Sequence, residues 1–236
     1  MEFFQNILNY FQTGFHDTFI AQSRYMLFIR GLGNTILIAI FATLIGVVLG
    51  ILVAIVRVYS GQTGKLRWLD RICALYLTII RGTPTLVQLL IAYFMVFAWI
   101  DNVILVCTIA FGINSGAYVA EIVRGGILSV DKGQTEAGRS LGLSASTTMR
   151  SIVLPQAFKS CLPSLGNEFI TILKETSIAG YIGAMDLTKA ADLVRSRTYD
   201  PFFSLITIAL IYLVIVIGMN AAFKALERRL AKSDRR

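Results

Sequence analysis

Residues 31–56 read GLGNTILIAIFATLIGVVLGILVAIV, an uncharged run held between Arg30 and Arg57. A helix needs roughly 20 consecutive apolar residues to cross a hydrocarbon layer ~30 Å thick, so this run is read as a membrane span and the fold is decided around it. The whole chain agrees. Of its 236 residues 56% are hydrophobic and 15% charged, with a mean hydropathy of +0.69, which is more apolar surface than a soluble domain of this length buries.

Working outward, residues 82–100 and 102–120 are two further uncharged runs separated by Asp101, a second and third span joined by a tight hairpin, and residues 201–223 form a last one. Residues 160–183 are interrupted by Glu168, Lys174 and Glu175, each of which costs roughly 2.5 to 3.5 kcal/mol at a helix centre. This region is read as the fourth of five spans, because an exposed helix would leave Ile170, Ile172, Leu173 and Ile178 in water. The expected fold is an all-α integral membrane protein.

The basic residues orient it. Residues 57–71, 124–159 and 224–236 carry fifteen of the 22 Lys and Arg, whereas residues 1–30, Asp101 and residues 185–200 carry five. Loops with the excess are cytoplasmic, which puts the amino terminus outside and the carboxy terminus inside. The net charge of +8 follows from the same asymmetry and needs no nucleic-acid partner. The chain divides into an extracytoplasmic segment 1–30, a membrane domain 31–224 with a cytoplasmic loop at about 126–160, and a basic tail 225–236. Segment 1–30 does not begin as a cleavable signal. Its Phe4, Ile7, Leu8, Phe11 and Phe15 recur at helical spacing, which fits a helix lying on the bilayer or one packed against protein.

Several kinds of chemistry are disfavoured. His16 is the sole histidine, and Cys73, Cys107 and Cys161 sit in or beside apolar runs without CxxC spacing, so neither a metal centre nor a catalytic triad has material. GQTGK at 61–65 departs from a phosphate loop at Tyr59 and Leu66 and reads as a turn. A membrane-embedded enzyme is the weakest rival; a self-contained channel or secondary transporter is the stronger one. The odd span count and the absence of an internal repeat argue against inverted halves, and five helices make a poor pore wall, so a dimer with its path at the subunit interface is expected.

Several stretches are candidates for that path or for the helix packing around it. Gly46 and Gly50 form a Gly-x-x-x-Gly pair that suits close helix approach. In RGTPTLVQ, 81–88, Pro84 breaks the helix, and Arg81 either snorkels to headgroups or stands at a break near the path. Asn114, Tyr118, Glu121 and Gly125 form one helical stripe that either lines a path or merely pairs Glu121 with Arg124. In the fourth span Glu168 and Glu175 share one face, with Asn167 and Lys174 about 100° around. Such a helix presents acid and base to different sides of a zwitterion or to different subunits, or holds ion pairs that only orient helices.

The polar tract EAGRSLGLSASTTMRSIVLP, 136–155, is expected to form a short helix over 136–141 ended by Gly142, then a second helix capped by Ser144 and running to Leu154, before Pro155. On the basic side of the membrane, such an element needs a partner surface. Glu136-Ala137-Gly138, three residues, Gly142, nine residues, then Ile152-x-Leu154-Pro155 resembles the EAA loop of binding-protein-dependent ABC importer permeases. The departure is Gly138 where alanine is usual, which loosens the first helix by roughly 1 kcal/mol. RGTPTLVQ, NSGAYVAEIVRGGI, KGQTEAGRSLGLS and LPQAFKSCLPSLGNEFITILKETS extend the resemblance to the polar amino-acid branch. The link between the second and third spans is shorter than usual there.

That resemblance implies a type I importer in a bacterial cell membrane. Two permease subunits, identical or sister chains, would pair with two cytoplasmic ATPase subunits, and an extracytoplasmic binding protein or domain would deliver a polar amino acid. ATP and Mg would belong to the partner, with no cofactor on this chain. By position, Glu136, Ala137, Gly138, Arg139 and Gly142 would contact the ATPase. Asn114, Tyr118, Glu121, Glu168, Lys174 and Glu175 would line the substrate path, beside a break at Arg81 and Pro84.

Overall fold

The computed structural model describes residues 1–233, with side chains through 229. The end of the basic tail, 234–236, lies outside the described residues. Among the described residues the fold is all-helical: α1 (Glu2–Phe15), α2 (Tyr25–Thr63), α3 (Arg67–Gly82), α4 (Thr85–Ile91), α5 (Val103–Leu128), α6 (Lys132–Ser140), α7 (Ala145–Thr148), α8 (Leu154–Glu175), α9 (Leu187–Thr198) and α10 (Pro201–Ser233).

The opening run lies inside α2, which continues past Arg30 and Arg57 until Gly64 adopts φ 67 and donates its N–H to the Ser60 carbonyl at 2.8 Å. Helix α5 starts where Asn102 accepts a hydrogen bond from the Leu105 N–H at 3.1 Å. The two helices form the centre of the molecule because small residues face each other. A Cβ on Gly46 would stand 2.6 Å from Ser115 Oγ, and one on Gly50 2.6 Å from Val119 Cβ; Gly112 and Gly116 receive Ile45 and Leu49 in return. Between membrane helices, where apolar surface gives no net drive, such contact is the cohesive force. Helix α8 lies against α5, with Cys161 on Gly126.

Three helices, α2, α5 and the described part of α10, are long and apolar enough to cross a membrane, and α3 with the segment 85–96 makes a fourth if a bent pair counts as one span. The second span expected at 82–100 is corrected here. The element begins at Arg67 and breaks at Thr83 and Pro84, both extended, bending by 111° before α4 and a π-type turn at Ala92–Val96. Helix α3 escaped the hydropathy reading because Arg67, Asp70, Arg71 and Arg81 give it one polar face, while Cys73 and Leu77 are buried. Helix α8, 22 residues, reaches about 33 Å at 1.5 Å per residue, but its charged and polar residues together keep it out of the apolar set.

The polar tract also differs from expectation. Asp131 caps α6 by accepting the Gly133 N–H at 2.6 Å, so the first helix starts at Lys132 rather than 136. Ser144 caps α7 as expected, accepting the Thr147 N–H at 3.1 Å. Pro155 does not end the second helix. A π-type turn at Met149–Val153 precedes it, and proline in the first turn of a helix gives up a donor that has no partner there, so the rod runs on into α8.

At the other end, Tyr10 and Phe11 of α1 stack on Phe202 and Phe203 of α10, and Gly14 meets Phe203. The helix therefore packs against protein around Tyr10, Phe11 and Gly14, while Phe3, Phe4, Ile7 and Leu8 in its first turns stay exposed. Helix α9 is pinned to α2 through a Thr35 Oγ1 that accepts the Leu187 N–H at 3.1 Å and an Asn34 amide donating to the Met185 carbonyl at 2.8 Å.

Candidate functional site

The stripe on α5 closes on the break between α3 and α4. Asn114, expected to line a path, is 3% exposed, and its Nδ2 donates to Gln88 Oε1 at 2.8 Å. Gln88 Nε2 in turn lies 2.7 Å from the Ile80 carbonyl, 3.0 Å from the Thr83 carbonyl and 2.7 Å from the Thr83 hydroxyl. Further along the same face, the Arg81 guanidinium sits 5.8 Å over the Tyr118 ring and 3.6 Å from Glu121. Glu121 also takes Arg124 Nη2 at 2.8 Å and Nε at 3.1 Å. The pairing with Arg124 is therefore present, and Arg81 turns inward to the same carboxylate. Gly125 stands exposed at the end of the stripe.

Together Arg57, Thr78, Arg81, Glu121 and Arg124 line a recess of about 480 Å³. Arg57 is itself tied to Asp70 at 3.1 Å. Three guanidiniums against two carboxylates leave an excess positive charge, which suits a solute carboxylate.

Helix α8 separates its charges. Glu168 is half-buried and accepts from Ser115 Oγ at 2.9 Å; Glu175 interacts with the Thr85 side chain at the start of α4; Lys174 is exposed. Glu168 and Lys174 of one protomer thus do not converge on one ligand. The sequence reading missed the rest of the exposed face: Gln156, Ser160, Ser164, Asn167, Thr171 and Lys174 are all exposed and fall within an arc of about 80° at 100° per residue. The signal was readable as a polar period of three and four running the length of one helix. Gln88 was missed too, although an amide one turn beyond a helix-breaking proline is well placed to cap the carbonyls left open behind it.

In the polar tract Glu136, Ala137 and Arg139 are exposed on α6, with Arg139 Nη1 donating to the Leu143 carbonyl at 2.8 Å. Gly142 adopts φ +83, with open space where a Cβ would be. Gly138, the departure from the family pattern, is buried, and a Cβ there would stand 2.8 Å from Thr148 Cγ2 and 2.9 Å from Ile152 Cδ1. The missing methyl lets α6 seat closely on α7 and the π-type turn. A separate recess of about 500 Å³ is lined by Ser177, Tyr181, Thr188, Lys189, Asp192 and Arg195. There the Arg195 hydrogen bond holds the Asp192 carboxyl below its usual range.

These features sit on a helical bundle with three, or up to four, elements among the described residues long and apolar enough to cross a membrane, the class of a polytopic membrane protein. The chain belongs to the family of binding-protein-dependent transport system inner membrane components, whose model matches residues 46–232. It is 38% identical over 213 residues, 89% of this chain and 95% of the relative, to the putative glutamine transport system permease protein GlnP of Rickettsia bellii (strain RML369-C). It is 35% identical over 209 residues to the arginine transport system permease protein ArtQ of Bacillus subtilis (strain 168), covering 87% of this chain and 93% of that one. Among solved structures it is similar to an amino acid ABC transporter crystallised with histidines, at TM-score 0.81 and 42% identity, covering 89% of this chain and 98% of that one. The inward-facing MetNI methionine ABC transporter, at TM-score 0.73 and 20% identity over 87% of this chain and 96% of that one, shares the fold. The ABC-importer permease expected from the motifs is the family found.

Proposed function

We propose that the chain is the membrane subunit of an ATP-driven importer of polar amino acids, that two such subunits enclose the path, and that separate ATPases move it through the 136–142 elbow. The observation that carries this reading is the exposed polar face of α8. In hydrocarbon, the part of this face beyond the loop, at Ser164, Asn167, Thr171 and Lys174, cannot face lipid without cost, and it is relieved by a water-filled path or by a second subunit. Glu168 and Lys174, diverging in one protomer, become complementary to a zwitterion when two copies of α8 face each other. The names of the relatives, permeases for glutamine and arginine, support a polar amino acid as the cargo.

In this reading α8 is the fifth crossing element, the basic loops face the cytoplasm, α1 lies outside and the chain resides in a bacterial plasma membrane. The coupling is mechanical. Helix α7, the π-type turn and α8 follow one another without a non-helical break from Ala145 to Glu175, with Pro163 inside α8, and α6 is seated on the cytoplasmic end. A push on Glu136, Ala137 and Arg139 therefore tilts the polar face and Glu168 together. The ligand that biases the two states is ATP, bound with Mg on the partner, and it acts only through differential contact with this loop. A binding protein outside would supply the amino acid.

Reconstitution tests the reading. Liposomes holding this chain with its ATPases and binding protein should accumulate labelled glutamine or arginine only when ATP is supplied. Flux through the chain alone would instead make it a channel or secondary transporter. Glu168→Gln should slow ATP-driven uptake by about tenfold, the effect of losing roughly 1.4 kcal/mol of charge-assisted bonding in the path, with undiminished co-purification of the ATPases. Unchanged transport kinetics would remove Glu168 from the path.

A further inference from the structure

We infer that Gln88 is a positioning residue: by tying the end of α3 to Asn114 it holds Arg81 over Tyr118 and against Glu121, and so sets the geometry of the charged recess. The transport consequence rests on the importer reading above; the structural part does not.

The last carbonyls of a helix have no partners within it, and Pro84 brings no N–H to the break. Gln88 stands one turn beyond, its own N–H bonded to the Pro84 carbonyl at 3.2 Å, and its side-chain amide reaches back to the carbonyls of Ile80 and Thr83. Those two residues bracket Arg81. The arginine backbone is thereby fixed from both sides, although the side chain itself is 44% exposed and would otherwise sample many rotamers.

The remaining oxygen of Gln88 takes the Asn114 amide at 2.8 Å. Asn114 lies on α5, whose place is set by close glycine contacts with α2. Two turns along that helix stands Glu121, which receives Arg81 directly. The rigid central pair thus grips the end of α3 twice, once by charge and once through an amide relay. Of the two grips, the relay is the more directional, because its amides meet their partners at hydrogen-bond distance whereas Arg81 and Glu121 are 3.6 Å apart.

The test separates donor chemistry from bulk. In the full transporter, spin labels at Ile79→Cys and Leu128→Cys, both on exposed positions while the native cysteines are buried, report the distance from the end of α3 to the cytoplasmic end of α5. A narrow distance distribution is expected, and it should broaden or shift equally in Gln88→Ala and Gln88→Glu, since glutamate keeps the acceptor for Asn114 but has nothing to donate to Ile80 and Thr83. In uptake assays each variant should lower kcat about tenfold. Placed in an Arg81→Gln background, the same changes should cost less than about twofold further, because both act through one arginine. Unchanged distances, a Gln88→Glu that behaves as wild type, or losses that multiply independently of Arg81→Gln would each overturn the assignment. Failure of the wild-type complex to import any amino acid would count against the importer reading alone, since the distances are read without transport.

Discussion

Gly142→Pro is expected to reduce ATP-driven uptake to background while the permease still reaches the membrane in normal amount. Proline fixes φ near −65°, and Gly142 needs φ +83. The substitution also removes the N–H that donates to the Arg139 carbonyl at 3.0 Å. It further disfavours the conformation of Leu141, at φ −78 and ψ 6, because a residue before proline is pushed toward extended backbone. Three costs fall on one elbow, together several kcal/mol, whereas the α2–α5 core is not touched. Gly142→Ala should be much milder, since nothing lies within 4 Å of its Cβ and only the left-handed strain, roughly 1 kcal/mol, remains. Uptake at the normal rate in the proline variant, measured in membranes with matched permease levels, would refute coupling through this loop.

Gly46→Leu should have the opposite signature, with little folded permease recovered from the membrane. Its first carbon would stand 2.6 Å from Ser115 Oγ and 2.7 Å from Ser115 Cβ, with the Gly116 backbone 3.2 Å away, so the helices must separate along their whole contact. Lost dispersion contacts have no substitute in lipid, and overpacking costs 1–3 kcal/mol or more at one site. The control lies on the same helix. Gly33 has nothing within 4 Å of a Cβ, and Gly33→Leu should leave yield and elution profile in detergent unchanged. Equal yields for the two variants would show that the α2–α5 contact is not what holds the bundle.

The elements that announced themselves in the sequence are those whose environment is uniform. Residues 31–56 are apolar on every side because α2 meets lipid and small neighbours throughout, and the elbow at Gly142 was legible because a left-handed turn followed by a serine cap leaves local letters. Helix α3 was not, because a helix with one polar face lacks a continuous apolar run. Nor was the fate of Pro155, since a proline can end one helix or open another and the choice lies in the π-type turn at Met149–Val153, which ends two residues before it. The candidate site was half legible. Its residues were named, but the partners of three of them were not: Asn114 is bonded to Gln88, and Tyr118 and Glu121 meet Arg81 at the helix break, contacts made between helices that the helical stripe alone does not encode.

The chain alone therefore determined the solvent it lives in, the orientation of its basic loops as an expectation, its family and its elbow, because these depend on composition, charge count and contiguous motifs. Only the tertiary structure decided which polar groups are committed to each other and which stay exposed. Hydrogen bonds between Asn114 and Gln88 or Ser115 and Glu168 span 26 and 53 residues, and their directionality over about 3 Å is a property of how two helices dock, which helical period by itself does not encode.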